Sequence, residues 1–414
     1  MSELILTTDQ KNAYDAFRSF LLDDKDSVFV LSGYAGTGKS TLVKKLLKDL
    51  PHFLKGRKLI DPDYKDLEVR LTATTNKAAE NLSSILGEDV VTIHNLLRLS
   101  VFTDYKTNKT MLSKTAGTKL ITDSLVFIDE ASYVDDQLLC FILDVCQNSK
   151  IVFIGDPAQL LAVNATSSPV FGAGYTEATL TQIVRQAEDN PIQELCNGFR
   201  ESVIQGHFKP ITVDGVAIKH LPREKFEDEI IGEFLRPNWQ TKDSKVLAWT
   251  NKRVIQFNQG IRQKVQGEPE LNVGDYAICN KYFRAGSKKT IKTDQQVLIT
   301  AKRPDIQHDV KGWLVTLDDK YRGFLPESQA DAKAAFTKAR KQEKFGQAAS
   351  IDNWLDLRAA YACTVNKSQG STYDKVFIDL DDVGRCRNHD QLARMLYVSA
   401  SRARNEVVLT GDIQ

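Results

Sequence analysis

Little in this chain points to a general charge-driven role. Its 55 basic and 54 acidic side chains leave a formal net charge of +1 over 414 residues. That excludes a generic polyanion binder, so any nucleic-acid surface must come from local sorting of charge. The six cysteines include no C-x-x-C pair and the six histidines no H-E-x-x-H. No zinc or haem site is written in such spacings, and reduced cytosolic thiols are the expectation. There is no run of eighteen apolar residues. The opening Met1-Ser2-Glu3-Leu4-Ile5-Leu6 lacks a basic n-region and a long apolar h-region. Neither secretion nor a membrane-spanning helix is expected. Internal repeats and low-complexity tracts are also missing. What remains is an ordinary globular composition, 42% apolar and 26% charged, in a chain long enough for two or three domains.

Short apolar runs alternate with helical stretches through the first half. Residues 28–31, 69–73, 125–129 and 151–155 read as strands, with helices over 41–50, 76–86 and 135–147. The pattern returns with strands at 245–249, 376–379 and 406–410 and helices at 254–265 and 391–401. Alternation at this spacing predicts parallel sheets covered on both faces, in two α/β domains. Two segments break it. Residues 98–119 hold five basic side chains against Asp104, a local +4, and read as a hairpin around the polar 106–109 stretch. Residues 269–326 look all-β, with strands at 273–279, 296–300 and 313–317, and the 281–303 stretch carries +6. An exposed helix rich in Ala, Lys and Gln is predicted over 329–345.

Gly33-Tyr34-Ala35-Gly36-Thr37-Gly38-Lys39-Ser40 fits G-x-x-x-x-G-K-[ST]. It follows a buried strand and opens a helix, the place its mechanism needs. Glycines let backbone N–H groups turn inward around phosphate oxygens, and the helix N-terminus adds partial positive charge. Lys39 is assigned to the β/γ-phosphates and Ser40 to Mg²⁺. The alternative, a Gly-rich turn that happens to precede Lys-Ser, does not account for both flanks. Leu125-Val126-Phe127-Ile128 ends in Asp129-Glu130, where Asp129 can hold the Mg²⁺ shell and Glu130 can act as general base on the attacking water. An Asp-Glu pair alone is usually a solvated loop start; beside a phosphate loop the balance reverses. A neighbouring strand ends in Asp156-Pro157-Ala158-Gln159, and the Gln159 amide is placed to report loss of the γ-phosphate. These residues describe a Mg²⁺-dependent nucleoside-triphosphate hydrolase.

The order of further motifs resembles the superfamily-1 helicases of the RecD/Dda class. They are Thr7-Thr8-Asp9-Gln10, Thr72-Ala73-Thr74-Thr75-Asn76-Lys77, Thr92-Ile93-His94, Asp129-Glu130-Ala131-Ser132, and Gly155-Asp156-Pro157-Ala158-Gln159. After them come Leu180-Thr181-Gln182-Ile183-Val184-Arg185-Gln186, Trp249-Thr250-Asn251-Lys252, Val365-Asn366-Lys367-Ser368-Gln369-Gly370 and Val398-Ser399-Ala400-Ser401-Arg402-Ala403-Arg404. The resemblance covers about residues 7–260 and 360–410. It departs at Asn366, where His is usual, at Tyr34, where Pro is common, and at Ser401, where Thr is common.

That resemblance implies two RecA-like P-loop NTPase domains with ATP between them. One spans 1–187 with a β-hairpin pin at about 98–119; the other spans 188–268 and 356–414. The β-rich 269–355 resembles an SH3-like insertion followed by a basic helix. ATP and Mg²⁺ are the implied ligands, held by Gln10 (adenine), Gly33, Gly36, Thr37, Gly38, Lys39, Ser40, Thr41 and Gly370. Arg185 and Arg402 match arginines that reach the γ-phosphate and act only when the cleft is closed. Thr74, Thr75, Asn76, His94, Thr250, Asn251, Thr364 and Lys367 match positions at the strand-binding groove, although helix caps or turns are the competing roles. Phe102, Tyr105 and Met111 are candidate wedge residues of the pin, or the apolar anchor of an ordinary hairpin. The implied activity is 5′-to-3′ translocation on single-stranded DNA with duplex unwinding, in replication, recombination or repair. The expected setting is a bacterial cytoplasm or a phage-infected cell, with a monomer acting alone or beside a single-strand-binding protein. An RNA-remodelling ATPase and an ATP-switched loading factor without unwinding remain the alternatives.

Overall fold

The computed structural model describes residues 5–104, 109–115, 117–162, 165, 167–184, 190–268, 270–286 and 289–413. The chain forms two compact units, Met1–Lys209 and Pro210–Gln414.

The first unit runs α1 (Thr8–Leu22), β1 (Val28–Gly33), α2 (Lys39–Ile60), β2 (Glu68–Ala73), α3 (Asn76–Leu86), β3 (Val91–Thr92), α4 (Ile93–Leu96), β4 (Leu99–Asp104), β5 (Lys109–Lys114), β6 (Ser124–Asp129), α5 (Asp136–Val145), β7 (Lys150–Gly155), β8 (Thr176–Leu180) and α6 (Pro191–Gln205). Its sheet has the order β3-β2-β6-β7-β1-β8, every pairing parallel. The apolar runs of β1, β6 and β7 are buried almost end to end because helices cover both faces. On one face α1 and α2 enclose Phe17, Phe29, Leu46 and Phe127; on the other α5 encloses Val30, Ile128, Ile142 and Phe153. Since β6, β7 and β1 are adjacent and parallel, the loops that follow them share the carboxyl edge, where α/β sheets bind ligands.

The second unit runs β9 (Ile218–His220), α7 (Arg223–Phe234), β10 (Ser244–Ala248), α8 (Asn251–Gln266), β11 (Tyr276–Cys279), β12 (Phe283–Arg284), β13 (Thr290–Ile291), β14 (Gln296–Gln307), β15 (Val310–Leu317), β16 (Tyr321–Pro326), α9 (Gln329–Lys341), α10 (Phe345–Asp352), β17 (Leu357–Ala359), β18 (Ala362–Thr364), α11 (Val365–Ser368), β19 (Tyr373–Asp379), α12 (Leu380–Val383), α13 (His389–Ser401) and β20 (Ala403–Thr410). A parallel sheet, β18-β10-β19-β20-β9, forms its α/β part. A five-stranded antiparallel sheet, β16-β15-β14-β11-β17, and the two-stranded β12–β13 form the rest.

Two helix expectations need correction. The helix read over 41–50 continues to Ile60 through Pro51, because Phe53 and Arg57 beyond the proline bury against the unit and outweigh the hydrogen bond that Pro51 cannot make. The first compact unit, Met1–Lys209, includes α6, whose Arg200 guanidinium lies 3.9 Å from the Tyr34 ring centroid. The helix read as exposed over 329–345 is two helices broken at Glu343, which has φ 57°. The alanine face of α9, Ala332 and Ala339, packs with Phe324 and Trp354.

Candidate functional site

The phosphate loop joins β1 to α2. Gly36 and Gly38 have φ of 86° and 81°, the left-handed region that glycine enters without strain. The Lys39 ammonium donates to the carbonyls of Gly33 and Tyr34 at 2.5 and 3.0 Å, which places it inside the loop. Thr37 is fully buried, and both its N–H and its hydroxyl donate to Tyr34 O. Ser40 and Thr41 follow in the first turn of α2. Gln10 lies beneath the loop and is buried. Its Oε1 accepts from Thr7 N–H, completing the capping box of α1, and its Nε2 donates to Thr37 O at 3.1 Å. The amide assigned to adenine therefore already has one protein partner on each end.

Asp129 closes β6. Burial pushes its carboxyl above the usual range, opposed by the Glu130 N–H at 2.9 Å and by the Lys39 charge. A half-buried carboxylate at a strand end, with a helix-start hydroxyl at Ser40, suits a cation that brings other ligands with it and favours the ionised form. Among the described residues no cluster of three or more His, Cys, Asp or Glu could hold a metal alone, so phosphate oxygens and water must complete any Mg²⁺ shell. Glu130 sits at φ 55°, ψ 47°, an uncommon conformation for a non-glycine residue. Its carbonyl accepts from Thr74 Oγ1 at 3.0 Å and Tyr133 N–H at 3.1 Å. On the next strand, Gln159 is buried in the turn after β7, its N–H donating to Asp156 O. Arg185 lies outside the described residues.

Most of the residues matched to the strand groove also hold structure. Thr75, Thr250 and Thr364 each cap a helix, accepting from Ala78, Arg253 and Lys367 N–H respectively. Thr74 is buried on Glu130. Asn76 and Asn251 open α3 and α8, and Asn251 Oδ1 accepts from Arg358 at 3.3 Å. Burial holds His94 below the usual imidazole pKa despite Asp135, so it stands as a neutral hydrogen-bonding group. Asp382, with no sequence signal, accepts from Trp249 N–H, Thr250 N–H and the Thr250 hydroxyl, each at 2.8 Å, and sets the start of α8. Lys367 donates to Asn280 at 2.8 Å and Asp294 at 2.6 Å, both from the antiparallel part of its own unit. The Arg402 guanidinium is buried on the carbonyls of Val398 and Ser371 and the Ser401 hydroxyl. Gly370 has φ 76°.

The expected hairpin is present as β4 and β5, paired antiparallel with Phe102 opposite Met111. Tyr105 lies outside the described residues, as does the Phe102 side chain. Met111 is exposed, whereas Leu112 packs on the α5-side core and Lys114 pairs with Asp144.

A strand, glycine loop and helix with this lysine, and an acid pair at the same edge of the parallel sheet with β7 between, make the first unit a P-loop nucleotide-binding domain. Residues 5–209 match the family described as an AAA domain, and residues 359–410 match the UvrD-like helicase C-terminal domain. The ATP-dependent DNA helicase dda of Enterobacteria phage T4 is 24% identical over 455 residues, covering 97% of this chain and 98% of that protein. The ATP-dependent RecD2 DNA helicase of Deinococcus radiodurans is 32% identical over 172 residues, 41% of this chain and 21% of its own length. A solved structure of Pif1 helicases, from work on unwinding at forked duplex DNA, superposes with a TM-score of 0.55 at 18% identity, covering 98% of this chain and 92% of that one. That likeness establishes the fold. The chain belongs to the superfamily-1 helicases of the RecD/Dda class.

Proposed function

We infer that this protein is an ATP-dependent DNA helicase that moves 5′ to 3′ on single-stranded DNA and opens duplex ahead of it. The observation that carries the reading is the phosphate loop with Lys39 in place and Asp129-Glu130 at the same carboxyl edge of the parallel sheet, with β7 between their strands. It sits in a chain of which 97% aligns with a phage DNA helicase.

Lys39 and the loop amides hold the β- and γ-phosphates, and the helix start of α2 adds its dipole. Ser40 and Asp129 are the residues that would hold Mg²⁺, which supplies charge neutralisation on the phosphates when bound. Glu130 takes the proton of the attacking water. Gln159 senses the γ-phosphate, and Arg185 and Arg402 neutralise charge developing on the transferred phosphoryl group. Binding and loss of the γ-phosphate then bias the grip on the strand. Thr74, Thr75, Asn76, His94, Thr250, Asn251, Thr364 and Lys367 are proposed to supply that grip, with short donors suited to sequence-independent phosphate contact. The β4–β5 hairpin is the proposed strand separator. The protein is proposed to act in the cytoplasm as a monomer at single-strand/duplex junctions, in DNA replication, recombination or repair. A single-strand-binding protein or replisome component is its proposed partner.

The test is ATP hydrolysis with and without single-stranded oligonucleotide. The reading expects a low basal rate, strong stimulation by the strand, and loss of both in Lys39→Ala. A basal rate unchanged by saturating oligonucleotide would overturn it.

A further inference from the structure

The first turn of α1 holds the phosphate loop twice, once directly and once through a strap. The direct contact is Gln10 Nε2 to Thr37 O at 3.1 Å, so close that a Cβ on Gly38 would lie 2.6 Å from that nitrogen. The strap begins at the end of β8, where Leu180 presses on Gly33; a Cβ there would lie 2.9 Å from Leu180 Cβ. The next two residues are tied to Asp9. Its Oδ2 accepts from Thr181 N–H at 2.8 Å, the Thr181 hydroxyl at 2.7 Å and Gln182 N–H at 3.0 Å. Beyond them, Val184 N–H donates to Gly36 O at 3.0 Å. Residues 180–184 therefore cross the loop anchored in β8, at Asp9 and on Gly36.

These contacts matter because a trans peptide is planar, so its C=O and the following N–H point in opposite directions. Gln10 on Thr37 O turns the Gly38 N–H away from α1. Val184 on Gly36 O turns the Thr37 N–H toward Tyr34 O, where the two meet at 3.3 Å. The carbonyls of Gly36 and Thr37 are thus pinned from outside, which fixes both peptide planes and turns the Gly38 N–H to the side away from α1. Charge-assisted hydrogen bonds are the stronger kind, and the strap's hold on Asp9 consists of three of them on one oxygen.

We propose that Asp9 is a positioning residue for nucleotide hydrolysis: by holding Thr181 and Gln182 it keeps Val184 on Gly36, and so keeps the loop's peptide planes set for the phosphates. The inference rests on the hydrolysis reading above, and it gives Asp9 a task beyond that of an acid at a helix N-terminus.

Asp9→Ala, Thr181→Val and the double variant are compared with wild type in full-length protein. The readouts are oligonucleotide-stimulated ATPase, melting temperature and amide hydrogen exchange over residues 33–40. The expected result is faster exchange over 33–40 in Asp9→Ala with no change over 125–129. The same variant should lose about 10-fold or more in kcat/KM for ATP, and the double variant should be no worse than Asp9→Ala. Asp9→Asn, which keeps an accepting oxygen without the charge, gives the same order with smaller effects and serves if Asp9→Ala folds poorly. Unchanged exchange over 33–40, wild-type kinetics in Asp9→Ala, or losses that merely follow melting temperature would overturn the proposal. A wild-type protein without ATPase activity would instead count against the function reading, while the exchange data still decide the role of Asp9.

Discussion

Glu130 is predicted to hold back stability in exchange for turnover. Its backbone at φ 55°, ψ 47° costs a non-glycine residue about 1–2 kcal/mol relative to the right-handed region. Three hydrogen bonds keep it there, from its own N–H to Asp129 Oδ1 and to its carbonyl from Thr74 and Tyr133. All three use Glu130 backbone atoms, so they survive any side-chain replacement. Glu130→Asn introduces a side chain that tolerates the left-handed region, and Glu130→Gln keeps both the length and the strain. Asn should therefore stabilise the protein by about 1 kcal/mol, or about 2–4 °C for a unit of this size. Gln should leave the midpoint where it is. Both remove the base, and stimulated hydrolysis should fall by roughly 10²- to 10⁴-fold in each. Thermal melting and a coupled ATPase assay on the same preparations check this. A Glu130→Asn protein no more stable than Glu130→Gln would refute the strain argument, and near-wild-type hydrolysis in either would refute the base.

Arg402→Ala, and Arg185→Ala beside it, should keep ATP affinity and lose stimulated turnover by roughly 10³-fold or more; a matching loss of affinity in a nucleotide titration would mean ground-state binding instead. Asp294→Ala should tighten binding to a labelled single strand, since the half-exposed Lys367–Asp294 pair competes with phosphate for the ammonium. Such a pair is worth about 0.2–1 kcal/mol, so the gain is at most about fivefold, and weaker binding in fluorescence anisotropy would contradict it. Alanine at Phe102, Tyr105 or Met111 should reduce unwinding while stimulated ATPase and melting temperature persist; parallel loss of all three would make the β4–β5 hairpin merely structural.

What could be read in the sequence was local. The apolar runs of β1, β6 and β7 and the glycine loop between β1 and α2 each lie within a few neighbouring residues, and strand–helix alternation then dictates a parallel sheet with the loop and acid pair at one edge. Contacts that join distant segments left no such trace. Gln10 meets Thr37 across 27 residues, and Asp382 meets Thr250 across 132. No spacing rule links either pair. Composition read α9 as an exposed helix, and most of it is, but it gave no sign that Ala332 and Ala339 supply a flat inner face or that the helix stops before Glu343. It misled at Pro51, where burial of the following turn carries α2 onward. The threonines matched to the groove show how a motif position and a local structural role can coincide. Thr75, Thr250 and Thr364 are helix caps in the structure, and a cap at the carboxyl end of a parallel strand is also where a phosphate finds free N–H groups.

The central claim is tested most directly by unwinding of tailed duplexes in the presence of Mg²⁺-ATP, with 5′ and 3′ tails, on DNA and on RNA. The account predicts strand separation of the 5′-tailed DNA duplex, none of the 3′-tailed one, and none by Glu130→Gln on either. Failure on every tail by a protein with strand-stimulated ATPase, or unwinding confined to the 3′ tail or to RNA, would contradict it.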